Sequence, residues 1–347
     1  MNIWRTFLTL NILIKNSEFN DAINLAQKAY EFGIDALIVQ DLGLARYLIK
    51  NFPDMPIHGS TQMSIHNLEG VLELQDLGFK RVVLARELPL NEIQYICKNS
   101  KIEIETFIHG ALCISYSGQC LFSSIIGGRS GNRGKCAGPC RLPYELLNHN
   151  NVSNKETTMD KGYLLSPKDL CTLDYLPQLI DAGVKCFKIE GRLKTEYYLA
   201  SVVNAYRNAI DDYMKNPNEY DYNKYLKELE KTKTRGLTTF YFNDRNNKDF
   251  QEYDGKQYNP NFEFGGKVLE NQANKTLIEI RNKLSIGDKM EILIPGKIEV
   301  EEFTIQKMWD SDTEEEITTV NPGKQGQTVK LELPIEAKTG WILRRRK

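Results

Sequence analysis

The sequence predicts an α/β fold: a (β/α) barrel of the TIM type, followed by a small antiparallel β domain. Short apolar runs alternate with amphipathic helical stretches over roughly the first two hundred residues, at the spacing of parallel βα units. Most of these runs end in polar residues, as barrel strands do at the edge that carries an active site. Beyond about residue 250 the pattern changes to strand-like segments separated by Gly, Asn and Pro turns.

Seven apolar runs predict barrel strands, and runs such as DALIV and RVVLA have the composition of strands buried on both faces. In chain order the runs are Thr6–Ile14, Asp35–Asp41, Ile57–Gln62, Arg81–Glu87, Ile102–Gly110, the start of YLLSPKDLC, and Val184–Arg192. Their polar ends are Gln40–Asp41, Ser60–Gln62, Arg86–Glu87 and His109. A complete barrel has eight strands. We therefore expect that the first strand or strands are missing, or that another chain completes the barrel.

Helical periodicity predicts helices between these strands. The clearest runs are Asn20–Gly33, His66–Gly78 and a long helix from Lys194 to about Lys215. After YLLS, a Ser-Pro pair predicts the start of a further helix, which Gly183 ends. We accordingly predict a barrel-like domain over 1–215, interrupted by an insertion at 110–163, a connecting segment over 216–249, and a β domain over 250–347.

Composition bounds the cell compartment and the kinds of partner. The formal net charge is -1, so an anion site must be local. No apolar run is long enough to span a bilayer, and no cleavable leader is recognisable. We expect a soluble cytoplasmic protein without membrane contact. In that compartment the seven cysteines are unsuited to a disulfide framework.

Four of the cysteines cluster between Cys113 and Cys140, in a stretch rich in Gly and Ser. The cluster lacks the paired CxxC knuckles of a structural zinc site. Iron–sulfur clusters accept looser spacing, so the pattern favours metal, and iron–sulfur over zinc. The alternative is a set of buried, inert thiols, which suits Cys97 and Cys186 better than the clustered four.

Two further patterns each have two interpretations. The loop GGRSGNRGKCAGPCR is equipped to bind phosphate or carboxylate, or is a solvated loop whose arginines offset cluster charge. At the end of the last barrel strand, KIEGR places Lys188 and Glu190 on one side of the strand. They form a charged pair facing the site, or an ordinary ion pair. His58, Gln62 and His109 also lie at strand ends.

Several segments together resemble the peptidase U32 family. They are HGALCISYSGQCLFSS, RSGNRGKCAGPCR, SPKDLC, KIEGR, IHGSTQMSIHN and TRGLTTFYF. The resemblance covers roughly residues 6–245 in order, and the β tail looks like the family's C-terminal domain. It implies a protease by name, yet the sequence has no HExxH or GxSxG motif. Better understood relatives bind a [4Fe–4S] cluster and support oxygen-independent hydroxylation. Their products include 5-hydroxyuridine in tRNA and 5-hydroxycytidine in rRNA, with prephenate as the oxygen source, and others act in anaerobic ubiquinone synthesis.

The resemblance also implies roles for particular residues. Cluster ligands in relatives match Cys113, Cys120, Cys136 and Cys171, with Cys140 as the alternate. From strand-end position, rather than from the resemblance, we predict Lys188, Glu190, Arg192 and His109 as catalytic residues, with Arg192 also holding the dicarboxylate donor or an RNA phosphate. Gln62, Arg129 and Arg133 are the predicted substrate-binding residues.

The leading hypothesis is an iron–sulfur enzyme that hydroxylates a tRNA uridine with prephenate as donor, with rRNA as a second target class. One alternative is a U32-type peptidase. Another is a non-catalytic cluster-bearing subunit that completes a second U32-family chain. The last arises because typical members begin with a segment like LLAPAG and a further strand, both absent from this sequence.

Overall fold

The computed structural model describes residues 4–145, 162–243, 250–255, 261–272, 275–323 and 326–347. The chain forms two compact units. The first comprises Met1–Glu190 and Arg235–Lys256, and the second comprises Gly191–Thr234 and Gln257–Lys347. Most of the polar stretch in the predicted insertion, residues 146–161, lies outside the described residues.

A parallel sheet organises the first unit, as the sequence predicts. Its parallel strands, in spatial order, are β1 (Phe7–Leu10), β2 (Ala36–Val39), β3 (Ile57–Gly59), β4 (Arg81–Val83), β5 (Glu103–Ala111) and β7 (Cys186–Ile189). Residues of β2, β3 and β4 are buried throughout, since helices cover parallel sheets. Apart from β5, which matches its predicted length, the strands are shorter than the predicted runs because their polar ends continue as loops.

Helices connect the parallel strands. They are α1 (Phe19–Glu31), α2 (Leu42–Asn51), α3 (Leu68–Leu77) and α4 (Leu90–Asn99), followed later by α5 (Phe122–Gly127) and α6 (Leu176–Asp181). Local chemistry sets their ends: the Asp41 carboxylate accepts from the Leu44 N–H and caps α2. Asn67 caps α3 in the same way, and Gly78 ends that helix in the left-handed region.

Residues 112–145, which carry Cys113, Cys120, Cys136 and Cys140, are called the cysteine loop. The segment that follows the cysteine loop differs from the prediction. Tyr163–Ser166 is not a strand, and the Ser-Pro pair does not start a helix. Instead β6 (Asp169–Cys171) pairs antiparallel with the end of β5, and β8 (Leu237–Thr238) pairs with β6. A three-residue strand is too short to produce a readable periodicity.

Within the described ranges, no strand pairing joins β1 to the opposite end of this sheet. The parallel α/β architecture is therefore confirmed, whereas closure into a TIM barrel is not.

In the described part of the second unit there are two α-helices and an antiparallel sheet. The helices are α7 (Glu196–Lys215) and α8 (Tyr222–Leu229). The seven sheet strands, in spatial order, are β13 (Val300–Thr304), β12 (Lys289–Leu293), β17 (Ile342–Arg346), β9 (Phe262–Gln272), β10 (Lys275–Ile280), β16 (Thr328–Leu331) and β14 (Met308–Asp310). A two-stranded ladder joins β11 (Leu284–Ser285) and β15 (Thr319–Val320). The antiparallel C-terminal sheet is as predicted.

A buried ionic cluster attaches α8 to this sheet. Arg344 of β17 is fully buried and donates to both carboxylate oxygens of Glu228 on α8. Its Nε also donates to Glu291 of β12 at 2.6 Å. Helices α7 and α8 thus belong to one compact unit with the β sheet, and 235–256 belongs to the first unit.

None of the helices in the described part of the chain is long and apolar enough to cross a lipid bilayer.

Candidate active site

Polar side chains meet at the carboxyl ends of the first three strands. Gln40 follows β2, and its Nε2 donates to the Gln62 carbonyl oxygen at 3.1 Å. Ser60 follows β3 and accepts from Asn11 Nδ2, beyond β1, at 3.3 Å. Parallel strands end at one edge of a sheet. Gln62, a predicted substrate-binding residue, therefore lies at the expected edge, where its backbone helps to join neighbouring strand ends.

Strands β5 and β7 approach closely at the same edge. The Glu190 N–H donates to the His109 carbonyl at 2.9 Å. Gly110 has φ +111, and a Cβ there would lie 2.3 Å from the Glu190 carbonyl oxygen. Only glycine fits this conformation and this contact. The structure thus brings together two of the predicted catalytic residues, buried His109 and Glu190.

Lys188 of β7 is committed to an ion pair. Its Nζ donates to Glu105 Oε1 of β5 at 2.9 Å, and Arg81 Nη1 of β4 donates to Glu105 Oε2 at 3.2 Å. Burial opposes ionisation of Glu105. The charge and hydrogen bond of Lys188, with help from Arg81, outweigh burial and hold its pKa below the usual range. Of the two interpretations of KIEGR, the structure supports an ion pair for Lys188, although its partner is Glu105 rather than Glu190.

The cysteine loop is pinned to the sheet edge by a tight turn over Tyr116–Gln119. The Gln119 N–H donates to the Tyr116 carbonyl at 3.0 Å. Gly118 has φ +82, and a Cβ there would lie 2.4 Å from the Gln62 carbonyl oxygen. A positive φ at the third turn position requires glycine. The turn also receives Asn132 Nδ2, which donates to the Gly118 carbonyl at 2.6 Å.

Two consecutive residues after β4, Arg86 and Glu87, form hydrogen bonds with Ser117 of this turn. Glu87 is buried, and its Oε1 accepts from the Ser117 N–H at 3.1 Å and from Ser117 Oγ at 3.2 Å. The Arg86 N–H donates to Ser117 Oγ at 3.2 Å. On the other side, Ser64 Oγ donates to the Ser117 carbonyl at 2.6 Å. The segment between Cys113 and Cys120 is therefore held at the edge of the parallel sheet.

Four thiols lie within electrostatic range of one another. Crowding by protein atoms raises the pKa of Cys113; Arg86 opposes that rise, whereas Cys120 and Cys136 add to it. Burial likewise raises the pKa of Cys140, with contributions from Cys113, Cys136 and Cys120. The Gly138 N–H donates to Cys136 Sγ at 3.3 Å, the type of bond that tunes thiolates in iron–sulfur proteins.

Two guanidinium groups lie beside these thiols. Arg86 stacks 3.8 Å from the Phe107 ring centroid and donates from Nη1 to the Ala111 carbonyl at 2.8 Å. Arg141 donates to the Leu112 and Pro167 carbonyls. Burial lowers the pKa of both groups, and Cys113 opposes the decrease in each case. Positive charge therefore lies where thiolates would form.

Cys171 lies at the opposite end of the β5–β6 pairing from Cys113. It ends β6 and pairs with His109 of β5, whereas Cys113 lies beyond the other end of that pairing. Cys171 is buried.

The donor set suits an iron–sulfur cluster chemically. The Cys113 and Cys140 thiols, whose pKa is raised by burial and by neighbouring thiols, ionise readily only when a cation compensates them. A bound cluster would supply that charge. Within the ranges that the structure describes, no three Cys, His, Asp or Glu side chains already stand in a metal-binding arrangement.

The three arginines predicted to bind substrate or to act in catalysis lie in different environments. Arg133 donates to Glu18 Oε1 at 2.6 Å and to the Leu13 carbonyl at 3.0 Å, so it ties the cysteine loop to the start of α1. Arg129 is exposed, and its Nε donates to the Lys135 carbonyl at 3.1 Å. Arg192 follows Glu190 by two residues and belongs to the second unit.

Comparison with known proteins identifies the family. Residues 3–252 match the model for Peptidase family U32, and residues 260–344 match that for the Peptidase family U32 C-terminal domain. The chain belongs to the peptidase U32 family. This agrees with the resemblance seen in the sequence.

Some of the U32 relatives are named for RNA hydroxylation, and another is named as a collagenase. A tRNA hydroxylation protein P1 of Bacillus subtilis (strain 168) is 33% identical over 318 residues, 90% of this chain and 75% of that protein. A 23S rRNA 5-hydroxycytidine C2501 synthase of Escherichia coli (strain K12) is 36% identical over 304 residues, 85% of this chain but only 45% of that protein. A protein named Collagenase, from Porphyromonas gingivalis (strain ATCC BAA-308 / W83), is 30% identical over 352 residues, 96% of this chain and 81% of that protein.

Sequence reasoning missed the residues that fix the cysteine loop in this U32 protein. Arg86 and Glu87 are visible as a polar strand end, but their partner Ser117 lies 30 residues away from Glu87. No local pattern reports such a pairing. Gly118 was the available signal, because a glycine in a Tyr-Ser-Gly-Gln stretch indicates a turn.

Proposed function

We propose that this U32 protein hydroxylates RNA, with a tRNA uridine converted to 5-hydroxyuridine and prephenate as the oxygen donor. The hydroxylation names of relatives such as the Bacillus subtilis protein support the reaction class. The observation that carries the proposal is the grouping of four thiols with Arg86 at the carboxyl edge of the parallel sheet. That edge is where α/β proteins place their ligands. Cytoplasmic location and a second U32 subunit stay predictions.

Cys113, Cys120 and Cys136 would hold a [4Fe–4S] cluster, together with Cys171 or Cys140. When bound, such a cluster supplies one-electron chemistry. Arg86 and Arg141 would offset its negative charge. The Gly138 N–H would remain bonded to Cys136 Sγ. The coupling of Cys140 with the other three thiols supports Cys140, whereas the family resemblance supports Cys171.

Iron and sulfide content of anaerobically purified Cys→Ser variants tests this ligand set. We expect C113S, C120S and C136S to lose most of the iron, because each removes one thiolate. C97S is the matched control, since Cys97 lies on α4 with its pKa raised to about 11 by burial and should keep the wild-type content. Comparison of C140S with C171S identifies the fourth ligand. Iron retained in all of the first three variants would overturn the ligand set.

The remaining residues have roles set by their contacts. His109 and Glu190 lie next to each other at the strand edge and are the proposed acid–base residues, with Arg192 following in sequence. Lys188, paired with buried Glu105, would fix the charge of that edge rather than move a proton. Arg129 is the exposed cation available for a phosphate or carboxylate. Gln62 and Arg133 would shape the binding surface through their structural bonds.

Nucleoside mass spectrometry of total RNA from a strain lacking this protein tests the function. We expect the loss of one 5-hydroxypyrimidine, and its return on complementation. The position of the loss, in tRNA or rRNA, identifies the target. Unchanged RNA would contradict the proposal.

The relative named Collagenase favours a second candidate, peptide hydrolysis. Cleavage of gelatin by the purified, iron-loaded protein, abolished by a substitution of Glu190 or His109, would support it over RNA hydroxylation.

A further inference from the structure

Tyr116 is an exposed aromatic ring on a rigid backbone. It lies between Cys113 and Cys120 in the sequence, and the residue is 52% exposed. Exposed large rings are usually held on regular elements or are mobile on loops. Here Tyr116 is the first residue of the Tyr116–Gln119 turn, so its ring is attached to an ordered backbone.

The turn is anchored on both sides. Ser117 bonds to Glu87, to the Arg86 N–H and to Ser64. Gln119 Nε2 donates to Ser64 Oγ at 2.8 Å. Gly118 packs directly on the Gln62 carbonyl. The Tyr116 ring is thereby presented with little backbone entropy left to lose, which is the condition for strong binding by a small surface.

A second ring stands beside it. The His66 ring centroid is 5.5 Å from that of Tyr116, at an interplanar angle of 58°. His66 Nδ1 is 2.6 Å from the Ser64 carbonyl, and its Nε2 lies 3.5 Å from Glu87 Oε2. These contacts fix the imidazole plane. The two rings form an aromatic corner at the sheet edge, defined here as Tyr116 with His66.

The loop that carries Tyr116 has more basic than acidic residues, although the buried Glu87 carboxylate lies beside His66. Residues 111–145 contain four Lys or Arg and one Glu, although the whole chain carries a formal net charge of -1. Arg129 and Lys135 are exposed and have no carboxylate partner among the residues that the structure describes. Asn132, between them in sequence, bonds to Gly118, so their loop adjoins the aromatic turn.

We propose that the aromatic corner is a stacking platform for an unpaired RNA base, with the neighbouring phosphates bound by Arg129 and Lys135. Rings of this kind bind bases by stacking, and nearby cations bind the backbone. The basic residues favour an anionic occupant over an apolar helix, and the exposed ring pair favours a nucleic acid, whose bases can stack, over an acidic peptide. This inference rests on the proposed function and names the binding element for the base.

Fluorescence anisotropy with a labelled seven-residue oligouridine tests the platform on the full-length, iron-loaded protein. Stacking contributes about 1–3 kcal/mol per base, so Y116A should weaken binding by roughly 5- to 150-fold. Y116F keeps the ring and should bind like the wild type. An oligonucleotide of the same length with abasic sugars should bind weakly to wild type and Y116A alike.

Tyr95 provides the matched control. It is 57% exposed on α4, so Y95A removes an equally exposed ring and should leave oligouridine binding unchanged. Equal iron content in all variants shows that the fold is kept.

The outcomes separate this inference from the proposed function. Equal oligouridine affinity of Y116A and wild type would overturn the platform and leave hydroxylation standing. Tyr116-dependent RNA binding in a protein whose deletion changes no nucleoside would retain the platform and overturn hydroxylation. A wild-type protein that binds gelatin peptides through Tyr116 but no RNA would overturn both.

Discussion

At the scale of single residues, the sheet of the first unit encloses a charge cluster around one carboxylate. Glu105 is buried and lies between Arg81 and Lys188. Glu103 binds the same Arg81 at 2.6 Å, but its side chain is 48% exposed. The two glutamates therefore share one partner and differ in burial, so their energetic roles should differ.

Glu105→Ala should lower the free energy of unfolding by about 3–5 kcal/mol, because it leaves half-buried Lys188 without its carboxylate and buried Arg81 with only the exposed Glu103. Glu103→Ala should cost less than about 1 kcal/mol, as expected for an exposed pair. Urea denaturation of both variants measures the difference. Equal losses would show that burial of Glu105 does not set the strength of this cluster.

His58 adds a pH dependence to the same sheet. Burial, and next the charge of Arg81, lower the pKa of His58 to about 4 from its ordinary value of 6.5. The unfolded chain therefore binds a proton between these values that the folded chain refuses. Stability is complete above about pH 6.5 and is lost as the pH falls toward 4, by about 3 kcal/mol at most.

His58→Phe keeps a ring against Phe7, which lies 5.1 Å away, and cannot titrate. Urea denaturation of this variant between pH 7 and 4 should give a flatter decrease in stability than the wild type shows. Parallel curves for the two proteins would mean that His58 is not the titrating group.

At the scale of elements, the cysteine loop depends on one turn. Gly118 and Gly134 both lie in this loop with positive φ, +82 and +71. A Cβ on Gly118 would clash with the Gln62 carbonyl, whereas one on Gly134 would meet nothing within 4 Å. The pair separates the effect of backbone conformation from the effect of packing.

Gly118→Ala should detach the turn from the sheet edge and speed amide hydrogen exchange of Ser117 and Gln119. Gly134→Ala should cost only about 1–2 kcal/mol of local conformational strain and leave those amides protected. Hydrogen exchange followed by mass spectrometry reads both. Protection that survives in Gly118→Ala would remove the turn as the anchor of the loop.

At the scale of the whole molecule, most of the architecture follows from periodicity. The parallel strands and the C-terminal antiparallel sheet lie where apolar runs and turn residues predict them. The antiparallel strand β6 was missed, because Asp169–Cys171 is too short to carry a period and pairs with residues about 60 positions earlier. Barrel closure, inferred from strand counting, is not confirmed, because within the described residues no pairing joins β1 to the far end of the sheet. Pairing between distant strands is not encoded in local pattern.

The candidate site was predictable only in part. The clustered cysteines, together with His109 and Glu190 at strand ends, indicate a functional site through their residue types. The contacts that bring the site together do not, since Ser117 with Glu87 and Gly118 with Gln62 join segments that no local periodicity connects. Lys188 was predicted as catalytic from its position at the strand end, whereas its bond to Glu105 on the neighbouring strand β5 follows from no local pattern.

We propose that the cysteine loop and the sheet edge beside it form an RNA-hydroxylating iron–sulfur site. Complementation of a deletion strain with C120S or with C97S, followed by nucleoside mass spectrometry of RNA, tests it most directly. We expect C97S to restore the 5-hydroxypyrimidine, whereas C120S, expressed at the same level, should not. Full restoration by C120S, or no 5-hydroxypyrimidine dependent on the wild-type protein, would contradict it.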